Sequence, residues 1–351
     1  MAQRAFPSAE FEIIKDLQHI SGCFRNEAYQ IGIGDDAAVR CSQNAEKLIL
    51  TTDVSVENVH FSLDTMSLQE AAYRAMVSNI SDCAAMGALP DSALVQLVFP
   101  EKGEELREKV LSVYRGFSEA CSRWQFPIVG GDLSAGGQWV FGITLLGKVS
   151  EGQRILQRKG ARAGDNLWVS GFPGRSAAGF EVLKRWGREN VPSRFSELVM
   201  NHIRPVPRVE AGLRLAADPE VHALMDLSDG LSKDCRTLSY ENKLGIILKY
   251  DALRIPKEMI QLSAEVGIAV QDWFLNGGED YELLFAASDH FDPLTVASQY
   301  SGGLFCIGQF TGDRQGLFLE KDRVVSEVAG CGWDHFRNID KRKSTNISQA
   351  T

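Results

Sequence analysis

The hydrophobic pattern of the first half of the chain predicts strands that alternate with helices. Residues 68–86 are rich in Ala and Met and are followed by Gly87 and Pro90, which is typical of a buried helix that ends there. Residues 104–124 repeat apolar side chains at helical spacing, which predicts a second, amphipathic helix. The same pattern predicts a short helix over 8–20, strands over 48–61, 91–100 and 138–149, and another strand before Gly130. The predicted order is β-β-α-β-α-β, a compact mixed α/β unit.

The second half centres on the segment MDLSDGLSKD, residues 225–234. The apolar run 221–227 predicts a strand, and Ser228, Asp229 and Gly230 open a helix over 231–240. Ser and Asp are favoured at this place simply as helix caps. Further strands are predicted over 166–171, 245–251 and 304–312, and further helices over 176–186, from 204–212 onwards and after Asp272.

A polar, basic and Gly-containing stretch separates the two halves at residues 150–165. We interpret it as a hinge between domains. The sequence thus predicts an N-terminal domain over 1–150, a C-terminal α/β domain over 151–336 and a disordered polar tail over 337–351.

Composition narrows the class of protein. The chain has 351 residues, 44% of them hydrophobic and 24% charged, as expected for a globular protein. A net charge of −9 without a long Lys/Arg run argues against nucleic-acid and anionic-membrane partners. No apolar run is long enough to span a membrane, and the first residues lack the apolar core of a signal peptide. Seven cysteines without a C-x-x-C pair indicate reduced thiols, so we expect a cytoplasmic protein.

Acidic residues recur beside Gly, Ser or Thr at strand ends and helices. Each occurrence alone is explained by a cap, a tight turn or a solvated loop. Repetition across the chain is better explained by a site for several divalent cations, because carboxylate and hydroxyl oxygens are the ligands that Mg²⁺ prefers. The segments are 34–36, 51–53, 81–82, 130–132 and 226–229.

The motifs point to phosphoryl transfer. The chain contains neither the G-x-S-x-G of many acyl-transfer enzymes nor the G-x-G-x-x-G of dinucleotide-binding folds. A phosphate held ~4 Å from a carboxylate costs about 4 kcal/mol per pair of unit charges at an effective dielectric constant of ~20. An acidic site therefore holds a polyphosphate only when cations lie between them. Phosphoryl transfer depends mainly on such neutralisation and on alignment.

Nine segments, in sequence order across residues 10–336, resemble the thiamine-monophosphate kinase family, within the superfamily of aminoimidazole ribonucleotide synthetase. They are IGIGDDAAV, TTDVSVENVHF, NISDCAAMGALP, IVGGD, QRKGARAGD, RPVPR, MDLSDGL, NGGEDYELLF and GWDHF. The resemblance implies a two-domain mixed α/β fold whose N-terminal ββαβαβ-type sheet domain pairs in a homodimer, with nucleotide bound near that interface. It also implies ATP-dependent phosphorylation of thiamine monophosphate to the diphosphate, with ADP released by direct in-line transfer.

The resemblance further implies roles for individual residues. Several Mg²⁺ ions would be held by Asp35, Thr51, Thr52, Asp53, Asp82, Asp132, Asp226 and Asp229. ATP would be bound by Tyr114, Gly131, Asp132, Arg158 and Ser228. The thiamine substrate would be bound by His60, Glu279 and Trp333. Asp53, Asp229 and Arg158 would be the catalytic residues. Two positions depart from the family pattern: Trp333 stands where a Tyr is common, and Asn58 where Gly is frequent.

Two alternatives stay open at this point. One is another ATP-dependent synthetase of the superfamily, of the selenophosphate, aminoimidazole ribonucleotide or hydrogenase-maturation type. Selenophosphate synthesis would need a reactive Cys in a Gly-rich segment, whereas Cys23 lies in SGCFRNE. The hydrogenase-maturation type would need a C-terminal Cys, whereas this chain ends in SQAT. The other alternative is a non-catalytic module that binds divalent ions or nucleotides.

Overall fold

A computed structural model describes residues 29–31, 35–41, 47–100, 105–149, 151–297, 302–328 and 332. The first half of the chain forms a six-stranded sheet. Its strands are β1 (Tyr29–Ile31), β2 (Ala38–Cys41), β3 (Lys47–Val56), β4 (Leu89–Phe99), β5 (Ile128–Ala135) and β6 (Val140–Val149). They lie in the order β1-β2-β3-β6-β4-β5, and only the β4–β5 pair is parallel.

Two helices, α1 (Leu68–Ala85) and α2 (Leu106–Trp124), pack on one face of this sheet. A capping box starts α1: the Glu70 N–H donates to Ser67 Oγ at 3.3 Å, and the Ser67 N–H donates to Glu70 Oε2 at 2.7 Å. The helix ends where Gly87 takes a positive φ of 68°. The prediction of a buried helix over this segment is confirmed.

The second half forms a seven-stranded sheet. Its strands are β7 (Asn166–Ser170), β8 (Val221–Leu227), β9 (Gly245–Lys249), β10 (Glu282–Ala287), β11 (Leu304–Thr311), β12 (Gly316–Lys321) and β13 (Val324–Glu327). They lie in the order β13-β12-β9-β11-β7-β10-β8, with β9 and β12 parallel and every other pair antiparallel. The helices of this half are α3 (Arg175–Trp186), α4 (Ser196–Ile203), α5 (Val209–Ala217), α6 (Leu231–Asn242), α7 (Lys257–Val266), α8 (Val270–Asn276) and α9 (Leu294–Ala297).

Helix α1 lies between the two halves. It contacts β3 and β6 of the first sheet and β8 and β10 of the second. Helix α5 packs closely along it, because a side chain at Gly212 would collide with the carbonyl of Ala84. Thirteen of the residues of α1 are buried, which explains why its composition is small and apolar almost all round. Polar residues among these thirteen, such as Arg74, Asn79 and Ser81, are therefore enclosed at the junction of the halves.

The mixed α/β fold class is confirmed, and three details of the prediction are corrected. The first half follows the order β-β-β-α-β-α-β-β, with two strands more than predicted. The strand predicted over 48–61 ends at Val56, since the backbone turns at Asn58, whose φ is 61°. Strand β5 runs through Gly130 and Gly131 without a turn. The predicted helix over 8–20 and the tail lie outside the described residues. None of the helices in the described ranges is long and apolar enough to cross a membrane.

Candidate active site

Three elements bring carboxylates together at the junction of the halves. Asp226, the penultimate residue of strand β8, is 2% exposed. The Ser81 hydroxyl on α1 donates a 2.8 Å hydrogen bond to Asp226 Oδ2. On the next residue of the helix, Asp82 accepts a hydrogen bond from the Thr51 hydroxyl of β3. These contacts join Thr51, Asp82 and Asp226, which the sequence predicts as ligands of the same site.

Asp36, Asp82 and Asp226 form a compact carboxylate cluster. One oxygen from each lies within 4.8 Å of the others. Burial, and then the neighbouring Asp36, raise the pKa of Asp226 to about 8. Burial, with Asp53 and Asp226 nearby, raises the pKa of Asp82 well above its usual value. Among the described residues, Asp36 Oδ2 is buried without a hydrogen-bond partner. Buried, mutually repelling oxygens of this kind fit a divalent cation.

The sequence predicts the segment 34–36 as part of the site, with only Asp35 assigned as a ligand. Asp36 is held by Arg158, which lies in the stretch 150–165 between the two halves. The Arg158 side chain forms an ion pair with Asp36 and donates from Nε to Asp36 Oδ1 at 3.0 Å. Asp35 Oδ1 accepts the backbone N–H groups of Asp36 at 3.0 Å and Arg158 at 3.2 Å. Burial and Asp36 raise the pKa of Asp35 to about 7. The Asp-Asp doublet is visible in the sequence, but only the fold shows that both carboxylates contact Arg158.

A second acidic group lies beside the cluster. Asp53 of β3 hydrogen-bonds Ser78 of α1; burial, and then Asp229, raise its pKa despite that bond. Asp229 forms a 2.8 Å ion pair with Lys233. Its backbone N–H donates to Asp234 Oδ2 at 3.2 Å. Burial and the Asp229 charge raise the pKa of Asp234 well above its usual value. Asp234 was also missed, although it closes the MDLSDGLSKD segment.

A cavity of about 910 Å³ opens beside these acidic residues. Its lining includes Asp53, His60, Ser228, Asp229 and Glu279, all of which the sequence predicts as site residues. The backbone N–H of Val56 donates to His60 Nδ1 at 3.0 Å. A neutral His60 therefore carries its proton on Nε2.

The loop that carries Glu279 is strained and tightly tied down. Glu279 has a φ of 66° and Tyr281 a φ of 52°. Such conformations cost about 1–3 kcal/mol each for residues other than Gly. The N–H of Glu279 donates to the Ser228 carbonyl at 2.7 Å, and that of Tyr281 to the Leu227 carbonyl at 3.0 Å. These bonds hold Glu279, which also forms an ion pair with Arg74, next to Ser228.

Comparison with known proteins gives this geometry a family. Residues 34–149 match the model of the AIR synthase related protein, N-terminal domain, and residues 162–311 that of the C-terminal domain. The thiamine-monophosphate kinase of Salmonella typhimurium is 34% identical over 313 residues, which are 88% of this chain and 92% of that protein. The chain belongs to the thiamine-monophosphate kinase family.

Two further comparisons agree. The thiamine-monophosphate kinase of Bacillus subtilis is 32% identical over 80% of this chain and 84% of its own length. A solved structure described as AaThiL complexed with AMPPCP and TMP is 30% identical, with a TM-score of 0.80, and covers 96% of this chain and 100% of that one. The family resemblance and the mixed α/β fold class are therefore confirmed.

Some residues implied by the kinase family lie apart from the cluster within one chain. The Thr52 hydroxyl points to the opposite face of β3, where it donates to the Ile143 carbonyl at 2.9 Å. Asp132 lies on β5, three strand positions from β3 and hence about 14 Å away. It is exposed on the face of the sheet opposite α1 and accepts a 3.0 Å bond from Ser134. Neither side chain reaches Asp82, although Thr52 also lines the cavity.

The remaining predicted residues of the kinase site are Gly131, Tyr114 and Trp333. Gly131 packs against the Val95 carbonyl, where no Cβ would fit. Tyr114 on α2 packs edge-on against Phe117, with ring centroids 5.8 Å apart. Neither residue lines the cavity. Trp333 lies outside the described residues. The preceding Gly332 packs so closely on Asp229 that a Cβ there would lie 2.5 Å from the Asp229 carbonyl oxygen.

Proposed function

We propose that this protein transfers the γ-phosphoryl group of ATP directly and in line to thiamine monophosphate, giving thiamine diphosphate and ADP. The observation that carries the proposal is the buried cluster of Asp36, Asp82 and Asp226, which lies beside a cavity lined by His60 and Glu279. Support comes from relatives named thiamine-monophosphate kinase and from the related structure with AMPPCP and TMP.

The proposal includes several Mg²⁺ ions at the acidic residues. Asp36, Asp82 and Asp226 would hold one ion, and Asp35, Asp53 and Asp229 lie close enough to extend the site. Bound there, Mg²⁺ would neutralise phosphate oxygens and align them for displacement. The chain supplies the rest. Arg158 is positively charged. Burial alone would lower the pKa of its guanidinium, but the neighbouring carboxylates of Asp36 and Asp35 raise it.

No general base is needed for this reaction. The attacking group is a phosphate oxygen of the substrate, which is already ionised at neutral pH because the second pKa of a phosphate monoester is about 6. The protein therefore has to bind, orient and neutralise. We assign His60 and Glu279 to the thiamine substrate, Ser228 to ATP and Arg158 to the charge on the transferred phosphoryl group.

We also propose a homodimer formed by the outer face of the N-terminal sheet. That face, opposite α1 and α2, exposes Val54 at 53% and Leu94 at 37%. The edge strand β5 exposes Val129 at 60% and Leu133 at 55%. Exposed apolar side chains on a sheet face and edge favour a partner. Asp132 shares the outer face, and Gly131 precedes it on β5. This placement agrees with a nucleotide site near the dimer interface. Tyr114 lies on α2, on the other side of the sheet, and we propose it as an ATP contact from the family resemblance alone. We expect the enzyme in the cytoplasm.

Incubation of the purified protein with ATP, MgCl₂ and thiamine monophosphate tests the proposal. We expect thiamine diphosphate and ADP in equal amounts by chromatography, and neither product when EDTA is present. Thiamine in place of its monophosphate is the control for the acceptor. ADP without thiamine diphosphate would instead support another synthetase of the superfamily. The absence of any ADP would support a binding module.

A further inference from the structure

The cavity follows the axis of α1, so its two ends can be distinguished. The helix contributes four lining residues that lie on one side of it, because they are three or four positions apart or adjacent in sequence: Ala71, Arg74, Ala75 and Ser78. Seven residues of helix span about 10 Å. Ser78 marks the acidic end, because it hydrogen-bonds Asp53. Arg74 lies one turn, about 6 Å, towards the other end.

A chain of buried polar groups crosses that second end. Arg74 Nη1 lies 3.3 Å from His202 Nε2, and His202 Nδ1 lies 3.1 Å from the Ser176 hydroxyl. Because a guanidinium only donates hydrogen bonds, His202 Nε2 is the acceptor and Nδ1 carries the proton. Burial and the Arg74 charge lower the pKa of His202 well below its usual value. His202 is thus a neutral ring held in one orientation.

His202 supports an aromatic side chain that reaches the cavity. The rings of Phe180 and His202 lie 5.1 Å apart at an angle of 32°. Phe180 is 37% exposed and lines the cavity with its helical neighbour Ala177. The Lys184 ammonium lies 5.1 Å from the centre of the Phe180 ring. Lys184 also forms an ion pair with Glu181, so this end of the cavity offers mainly an aromatic surface.

The same frame holds Glu279. Asp280 accepts the backbone N–H groups of Gly174 at 2.6 Å and Ser176 at 2.9 Å. These contacts tie the start of α3, which carries Phe180, to the strained loop that carries Glu279. Arg74 contacts both parts, since it forms an ion pair with Glu279 and hydrogen-bonds His202. Phe180 and Glu279 are consequently fixed relative to each other.

We propose that Phe180 packs against the aminopyrimidine ring of thiamine monophosphate, and that His202 and Arg74 are positioning residues that hold Phe180. This inference rests on the proposed function. Thiamine monophosphate carries its phosphate and its aminopyrimidine at opposite ends. With the phosphate at the acidic end, the aminopyrimidine reaches Phe180.

Steady-state kinetics of Phe180→Ala and Phe180→Leu test the contact. We expect Phe180→Ala to raise the KM for thiamine monophosphate about tenfold, which corresponds to the loss of one good aromatic contact. The kcat and the KM for ATP should stay within about twofold of the wild-type values. The KM of Phe180→Leu for thiamine monophosphate should lie between those of Phe180→Ala and the wild type. Met200→Ala is the matched control, because Met200 is on the helix of His202 but is 47% exposed and outside the cavity lining. A KM in Phe180→Ala equal to that of Met200→Ala would overturn the proposal.

A double-mutant cycle tests the role of His202. If His202 acts through Phe180, His202→Ala should raise the same KM, and the pair Phe180→Ala/His202→Ala should show no further rise beyond Phe180→Ala. Fully additive effects would assign His202 a separate role and overturn its positioning of Phe180. Thermal melting of each variant shows whether it is folded.

Calorimetric titration with thiamine separates this inference from the proposed function. Thiamine has the same pyrimidine but no phosphate, so its binding does not require turnover. Binding weakened about tenfold by Phe180→Ala in a protein that makes no thiamine diphosphate would reject the function and keep the contact. Binding unaffected by Phe180→Ala in an active enzyme would reject the contact alone.

Discussion

The Ser81 hydroxyl and Asp226 Oδ2 are 2.8 Å apart, although 145 residues separate them in sequence. The bond joins α1 of the first half to β8 of the second. Both residues are buried, at 0% and 2% exposure. The carboxylate cluster therefore exists only when the two halves are packed together, and this bond is one of the contacts that position it.

The cluster should be essential for turnover and not for folding. We expect Asp82→Asn and Asp226→Asn each to lower kcat at least about 100-fold, because an amide is a poorer Mg²⁺ ligand than a carboxylate. Without Mg²⁺ the Tm should stay equal or rise near neutral pH, because burial raises the pKa of both carboxyl groups and an amide avoids the cost of protonating or charging them on folding. An ADP-release assay and thermal melting measure both. Asp91→Asn, at an exposed ion pair with Lys148, is the control. Near-normal activity in either cluster variant would contradict the metal assignment.

Mg²⁺ should stabilise the folded protein through the same residues. A ligand present at 100 times its Kd adds about 2.7 kcal/mol to the free energy of unfolding. We expect the Tm of the wild type to rise on addition of MgCl₂ and to fall back with EDTA. Asp226→Asn should lose most of this response, whereas Asp91→Asn should keep it. An equal response in all three proteins would place the ion elsewhere.

The Arg158–Asp36 ion pair should be costly to break on one side. Asp36 is buried, so Arg158→Gln leaves a carboxylate without its partner, and we expect a loss of about 3 kcal/mol in the free energy of unfolding. Arg158→Gln/Asp36→Asn should recover part of that loss. Urea denaturation of the wild type, the two single variants and the double variant gives the coupling energy. Additive effects would show that the pair is not coupled.

Asp280 should make stability depend on pH. Burial raises its pKa from 3.8 to about 7, although the N–H groups of Gly174 and Ser176 lower it. The folded protein then holds a proton between about pH 4 and 7 that the unfolded chain releases, so stability falls as pH rises through this range. Asp280→Asn lacks this pH-dependent contribution to stability. The Tm of the variant relative to that of the wild type should therefore increase when the pH of the assay is raised from about 4.5 to about 7.5. Asp251→Asn, at an exposed position, controls for loss of charge. A constant difference would contradict the assigned pKa.

The outer face of the N-terminal sheet should control assembly. We expect Leu94→Glu to convert a dimer into a monomer, because it places a charge in the apolar part of the proposed interface. Size-exclusion chromatography with light scattering measures the mass. Ile260→Glu, at a residue that is 52% exposed on the second half, is the control. A wild type that is monomeric at micromolar concentration would reject the homodimer.

Local sequence patterns by themselves determine several elements of this protein. Small and apolar residues over 68–86, with Gly87 after them, are enough to predict α1, because a helix that is buried on nearly all sides has apolar residues on all of its faces. The apolar run 221–227 and the helical stretch after Gly230 likewise predicted β8 and α6, although no Ser or Asp side chain caps α6. The acidic motifs indicated the kind of chemistry, since charge and hydroxyl oxygens are properties of residues wherever they lie.

Tertiary structure alone decided which of those acidic residues share a site. Asp36 joined the cluster, while Asp132 was placed on the far side of the same sheet. Thr51 and Thr52 are adjacent in sequence, yet successive side chains of a strand point to opposite faces, and only the inward one contacts Asp82. The pocket beyond Arg74 could not be foreseen either, because His202 and Phe180 meet it only through packing between distant helices. Sequence carries the type of each group, whereas the distances between groups far apart in the chain arise from how the elements pack.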